Sequence, residues 1–228
     1  NGVAINAVNM PALSPEQYKT VGPWLDLAER LGKFVSFIAE GNPKAVRLTY
    51  SGSFADSGSN LIRNAGLAGV LGRSLSGKAN LVNAMQIAAD RGLQVAERRE
   101  TRYQHLDALV IELETDRGST AVEGSLVLGK PRLIRVEGIP MEAALAGNLT
   151  FLRNEDVPGV IGHVGTILGT NKVNIANFAL GRQEAPAKPG APLEAIAIVE
   201  TDATPGDNVL AQLSAHAAVL RVRTVILD

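Results

Sequence analysis

The stretch Leu149-Thr150-Phe151-Leu152-Arg153-Asn154-Glu155-Asp156-Val157-Pro158-Gly159-Val160, joined through one helix to Lys172-Val173-Asn174-Ile175, decides the fold of this chain. An apolar strand, Leu149 to Arg153, runs into an acidic, amide-bearing corner, breaks at Pro158-Gly159 and restarts as a helix reaching Thr170. Val160, Ile161, Val164, Ile167 and Leu168 are predicted to face inward, and Val173 to Leu180 is predicted as the next strand. The free amides of Gly159, Val160 and Ile161 at the helix start suit a carboxylate, with the helix dipole adding ~0.3–1 kcal/mol. Asp156 suits an ammonium, and Asn174 offers both a carbonyl and an amide. The corner has the chemistry to hold a small zwitterion. A plainer account stays open on the residues alone: Asp156 caps the helix and Asn174 closes a turn.

Reading outward, Glu184 to Pro192 is a proline-bearing loop and Leu193 to Glu200 a nearly continuous apolar strand. Asp207 to Ala217 reads as a helix, and Val219 to Leu227 as a last strand in which Leu220, Val222 and Thr224 alternate with Arg221 and Arg223. The order is βαββαβ, the split ferredoxin-like arrangement. The first helix carries glycines at 159, 162, 165 and 169. Each interior glycine costs ~0.5–1 kcal/mol relative to alanine, so a smooth ridge packing closely on a strand or a second subunit is the expected compensation. They form neither G-x-G-x-x-G nor G-x-x-x-x-G-K-[ST], and nucleotide binding is not indicated.

In the first half, Ser14-Pro15-Glu16-Gln17 is a helix start, and Pro23 is predicted to restart the helix. Trp24, Leu27, Ala28, Leu31, Val35 and Ile38 then form one apolar stripe. Ala45 to Ser51 alternates as a half-buried strand. Helices follow from Ser59, with a break over Gly72 to Gly77, and from Asn80 to Arg91, where Gly92 is placed as the C′ residue. Leu93 to Arg99 is strand-like, and Leu109, Ile111 and Leu113 turn through Asp116 to Ser119 into Thr120 to Val127 as a hairpin. Leu133 to Val136 ends in a turn at Glu137 to Pro140, and Ala143 to Gly147 is a small-residue joint. The fold class is therefore α+β with two domains, 1–144 and 145–228.

Two features of the first half bear on chemistry. Asp56-Ser57-Gly58-Ser59-Asn60 is either a phosphate-holding loop or an ordinary N-cap loop. Arg98, Arg99 and Arg102, with Lys130, Arg132 and Arg135, make a pocket for an anionic effector if the sheet brings them together, and are solvated strand ends otherwise.

Composition excludes several classes. The 22 basic and 23 acidic residues leave no net field to steer nucleic acid or a membrane surface. The absence of cysteine removes thiolate metal sites, iron–sulfur ligation and a thiol nucleophile, and suits the cytoplasm. His105, His163 and His216 fall on unrelated elements without H-E-x-x-H, so neither a metal site nor a general base is expected, and His163 is expected on the exposed side of its helix. No segment is apolar for long enough to span a membrane. The chain opens at Asn1 with a strand-like Val3 to Asn9, which suggests a fragment of something longer.

The Asp-x-Pro-Gly-Val and Val-Asn-Ile series resembles an ACT domain, a βαββαβ amino-acid-sensing module. Asn6-Ala7-Val8-Asn9-Met10-Pro11, the run Pro23 to Gly32, Val82-Asn83-Ala84 and Arg91-Gly92-Leu93 resemble the C-terminal half of the long form of D-3-phosphoglycerate dehydrogenases. The resemblance implies an intervening, allosteric-substrate-binding domain followed by an ACT domain that binds L-serine across a subunit interface, in a homo-oligomer. It carries Asp156 and Asn174 over as serine contacts, and Asn154 onto a position where the family more often has His or Tyr; Val157 replaces the family's usual Arg. Only Arg132 matches the basic residues of the family's middle domain. The catalytic groups and the NAD site are implied to lie upstream, leaving no catalytic residue or cofactor here. The iron–sulfur L-serine dehydratases share a related domain beside an ACT module, but their cysteine ligands and serine-rich stretch are missing. A dimerisation module without ligand is the third reading.

Overall fold

The structure is a computed structural model that describes residues 15–56, 58–75, 79–100, 106–186 and 188–227. The Ser14 cap, the opening strand-like run, Ser57, Arg102 and His105 fall outside these residues. Helix α1 (Pro15–Ile38) is continuous, with Pro23 inside it. Proline forfeits one backbone hydrogen bond, but Val21, Trp24, Leu25, Leu27 and Ala28 are buried on both sides of it, and this packing holds the helix through the gap. The predicted stripe is buried to its end at Ile38.

Strand β1 (Pro43–Ser51) buries Val46, Leu48 and Tyr50. A 3-10 turn at Ser53–Ala55 then stacks Phe54 on Trp24, with ring centroids 3.6 Å apart. Helices α2 (Ser59–Leu75) and α3 (Ala84–Asp90) cross over to β2 (Gln94–Glu100), which lies parallel to β1. The turn before α3 is held by Asn80 Oδ1, which accepts the amides of Val82 and Asn83. Past its end Gly92, at the predicted C′ position, adopts φ 67°, and the amides of Gly92 and Leu93 donate to Ala89 and Ala88, a Schellman closure.

Strands β3 (Ala108–Thr115), β4 (Gly118–Val127), β5 (Lys130–Val136) and β6 (Ile139–Ala144) continue as a meander, giving the order β2-β1-β3-β4-β5-β6. Strand β6 replaces the predicted turn and joint at Ile139 to Ala144. Pro140 misled the sequence reading, yet β6 is an edge strand, where a residue without an amide is tolerated.

The rest of the chain is β7 (Gly147–Glu155), α4 (Val160–Thr170), β8 (Ile175–Arg182), β9 (Glu194–Thr201), α5 (Asp207–Ser214) and β10 (Val219–Leu227). Their antiparallel order β10-β7-β9-β8 is the expected split arrangement. One face packs under α4 and α5 through Leu152, Val164, Leu168, Val199 and Leu213. The other joins the core of the first half through Phe151, Ile196, Ile198, Val225 and Leu227, with Phe151 edge-on to Phe34 at 6.4 Å. Burial on both faces is why β7 and β9 read as continuous apolar runs. One inward assignment, Ile161, fails, and the alternation of the last strand is broken at Leu220. A register shift between Val219 and Arg221 turns Leu220 outward, and Ile161, on the first turn of α4, is 53% exposed.

The seam between the sheets is ionic as well as apolar. Glu137, in the two-residue β5–β6 turn, accepts Arg153 Nη1 at 2.6 Å and Arg221 Nη2 at 2.5 Å. These two arginines are neighbours across β7 and β10, and Arg153 also pairs with Glu194. Burial weakens the charged form of Arg153, but the Glu194 and Glu137 carboxylates outweigh it and hold its pKa above the usual value. Gly181 of β8 sits so close to β6 that a Cβ would come within 2.6 Å of the Pro140 carbonyl oxygen.

Candidate functional site

The corner between β7 and α4 is built from both strand faces. Alternation sends Arg153 towards the seam and Asn154 towards α4, where Asn154 is 4% exposed. Its Nδ2 donates to the Glu155 carbonyl at 2.7 Å, and its Oδ1 accepts no hydrogen bond from the described residues. The Asp156 amide donates to the Leu193 carbonyl at 2.8 Å, which ties the corner to the start of β9. Gly159 is the N-cap of α4, with φ 100°, a left-handed conformation that glycine adopts without strain. No side chain caps the helix, so Asp156 is not a capping residue, and the amides of Val160 and Ile161, in its first turn, have no acceptor within the helix.

Asp156 instead meets an arginine that the sequence reading did not single out. Arg182, at the end of β8, places Nε 2.7 Å and Nη2 2.5 Å from Asp156 Oδ2. Asp156 is largely covered and Arg182 is 65% exposed. Below them, between α4 and the sheet, lies a cavity of about 40 Å³. Its walls are apolar, from Leu152, Val160, Val164, Phe178 and Leu180, with Asn154 and Asp156 as its polar groups.

Asn174 is not part of this corner. It precedes β8, exposed, where its Nδ2 donates to Asp202 at 2.8 Å. Because β8 runs back along α4, Asp156 and Asn174 lie at opposite ends of that helix. The glycine ridge, too, is empty within the chain. A Cβ on Gly162, Gly165 or Gly169 would meet nothing within 4 Å.

The arginines of the first half are not assembled. Arg98 and Arg99 lie on edge strand β2, with three strands between them and Lys130, Arg132 and Arg135 on β5. Arg99 pairs with Asp56 of the loop before α2, and Arg135 with Glu123 and the Gly138 carbonyl. Arg132 is 3.7 Å from Glu142, and its buried Nε has no hydrogen-bond partner. Under the start of α2, the Tyr50 hydroxyl donates to Glu97 at 2.7 Å, and Arg63 holds the same carboxylate at 2.9 Å. Burial first, then the Glu97 carboxylate, push the Tyr50 phenol well above its ordinary range.

His163 is not on an exposed side. It packs against α5, with Nε2 3.1 Å from the Gln212 carbonyl oxygen and its ring centroid 5.0 Å from that of His216. The βαββαβ order, legible in the sequence, is what sets the two helices side by side and covers His163. Among the described residues, no group of three or more His, Cys, Asp or Glu side chains is placed to hold a metal ion, and no helix is long and apolar enough to cross a membrane.

Comparison with known proteins assigns the chain its relatives. The family described as the D-3-phosphoglycerate dehydrogenase intervening domain matches residues 20–137. The chain is 33% identical over 211 residues to the D-3-phosphoglycerate dehydrogenase of Methanocaldococcus jannaschii, covering 92% of this chain and 39% of that protein. It is 31% identical over 201 residues to that of Archaeoglobus fulgidus, covering 88% and 38%, and 27% identical over 224 residues to that of Bacillus subtilis, covering 97% and 41%. The chain thus spans about two-fifths of the length of these curated relatives.

Proposed function

The chain belongs to the D-3-phosphoglycerate dehydrogenase family, and from that premise we propose that it is a regulatory, non-catalytic part of such an enzyme in L-serine biosynthesis. In this reading residues 1–144 form the intervening domain and 145–228 an ACT domain that senses L-serine. The dehydrogenase chemistry and its NAD belong to the remainder of the parent protein, in the cytoplasm. The observation that carries it is the corner before α4, where Asp156, buried Asn154 and Val160 line a small cavity and the left-handed Gly159 opens the helix beside it. Asp156 takes the serine ammonium, and the amides take its carboxylate. Asn174 reaches the same ligand only from a second copy of the chain, so the parent is a homo-oligomer paired through this half. In the first domain Lys130 and Arg132 are the better candidates for an anionic effector, because Arg135 is already engaged by Glu123.

Calorimetric titration of the chain with L-serine is the test, repeated with Asp156→Ala and Asn174→Ala. Serine heat that Asp156→Ala abolishes supports the reading. Loss with Asn174→Ala places the second copy at the site, and serine-dependent assembly in the ultracentrifuge accompanies it. No heat with L-serine sinks the sensing role and leaves a dimerisation module.

A further inference from the structure

We propose that Arg153 relays occupancy of the corner to the β5–β6 turn, so that the ionic seam is the route by which the second half acts on the first. The relay rests on the sensing role just given and concerns where its effect travels. The corner and the seam share strand β7, whose alternation turns Asn154 to α4 and Arg153 to the seam, so a change at that strand's end is felt on both faces. The start of β9 closes the circuit. The Asp156 amide donates to the Leu193 carbonyl, and the next residue, Glu194, accepts Arg153 Nε. The Glu194 amide in turn donates to Gln183 Oε1 at 2.9 Å, beside the Arg182 that pairs with Asp156. Arg153 thus holds Glu194 with one nitrogen and Glu137 with another, a continuous chain of contacts from corner to turn.

What the relay moves is a turn and not a domain. Phe151, Ile196, Ile198, Val225 and Leu227 lie in one core with the first half, so swinging the two sheets apart would expose that core. The turn is better placed to respond. Glu137 has φ 49°, in the left-handed region that a glutamate rarely adopts, and the guanidiniums of Arg153 and Arg221 hold it there. It borders a cavity of about 250 Å³, walled by Arg135, Glu137, Gly138, Gln183 and Glu184, which leaves the turn and the loop after β8 room to shift. Arg135 Nη1 donates to the Gly138 carbonyl at 3.2 Å, so a shift of the turn reaches β5. Linkage makes the effect reciprocal: if the corner's ligand firms the turn, loosening the turn weakens that ligand by the same factor.

The test is hydrogen exchange on the 228-residue chain, read by mass spectrometry with and without saturating L-serine, together with L-serine affinity by calorimetry. Serine is expected to slow exchange at residues 137–139 as well as at the corner. Glu194→Gln, which cuts the tie between β9 and Arg153, is expected to keep protection at the corner and lose it at the turn. Glu137→Gln is expected to weaken L-serine about fivefold, the low end of coupling between linked sites. Gly69→Ala, which destabilises the chain by forcing a methyl group against the Glu29 carbonyl oxygen, is expected to leave that affinity unchanged, so that coupling and lost stability separate. Protection at the corner with none at the turn overturns the relay and spares the sensing role. An affinity that Glu137→Gln leaves untouched, or that Gly69→Ala weakens equally, does the same. Turn protection that survives Glu194→Gln overturns Arg153 as the carrier. No protection anywhere removes both this proposal and the reading beneath it.

Discussion

Two sets of helix glycines look alike in the sequence and behave oppositely in the fold. Gly32 on α1 and Gly66 and Gly69 on α2 lie where those helices cross: a Cβ on Gly32 would come within 2.1 Å of the Gly66 carbonyl oxygen, and one on Gly69 within 2.1 Å of the Glu29 carbonyl oxygen. Here two backbones touch, and only glycine allows it. On α4, Gly162, Gly165 and Gly169 are likewise spaced by three and four residues along one helix and meet nothing. Spacing alone shows that a ridge is smooth. Whether anything lies on it is a property of tertiary structure.

The contrast is open to mutation, the largest effect first. Gly69→Ala, or Gly32→Ala, should lower stability by about 3 kcal/mol, because the helices must part to admit a methyl group against backbone. A urea midpoint that hardly moves would show that the crossing is looser than drawn. Next is the tight contact of the opposite chemistry. Glu137→Gln removes the carboxylate shared by Arg153 and Arg221 at the seam and leaves two guanidiniums facing each other, at a cost of about 2 kcal/mol after allowance for their partial exposure. Denaturation followed separately at Trp24 and by circular dichroism should then lose coincidence if the seam is what makes the two sheets unfold together. Gly165→Ala should do the reverse of Gly69→Ala and stabilise the isolated chain by ~0.5–1 kcal/mol. If a second copy covers α4, that same change instead weakens self-association in the ultracentrifuge.

These cases also mark what was legible in the residues. Periodicity exposed the α1 stripe from Leu27 to Ile38, the alternation of β1 and the βαββαβ order, because each depends on near neighbours in the chain. It failed where distant partners decide. Pro23 remains helical because of packing on both flanks, and Pro140 sits in a strand because that strand is an edge. Asp156 was found by its position before Pro-Gly. Arg182, 26 residues on, was not, since only the antiparallel return of β8 brings it to 2.7 Å from that carboxylate. Conversely, Asn174 belongs by motif with Asp156 but lies one helix length away.

The smallest expected effect concerns a third kind of glycine contact. Gly41, with φ 91°, ends the approach to β1, and a Cβ there would strike Asp116 Oδ1 at 2.1 Å. That closeness lets Asp116 accept the Asn42 backbone amide at 2.8 Å and its side-chain amide at 3.0 Å. Both donors favour the ionised carboxylate and hold its pKa below the ordinary value, the backbone amide first. A depressed folded-state pKa contributes stability that is present above the unfolded value near ~3.9 and is lost as pH falls through the folded value. Asp116→Asn keeps the size and one acceptor but cannot titrate. Its stability should therefore be slightly lower than that of the parent chain at pH 7, and the gap should close as both are taken below pH ~4. Two curves that stay parallel down to acid pH would mean that the Asn42 amides are satisfied by water and that the Gly41 contact is merely steric.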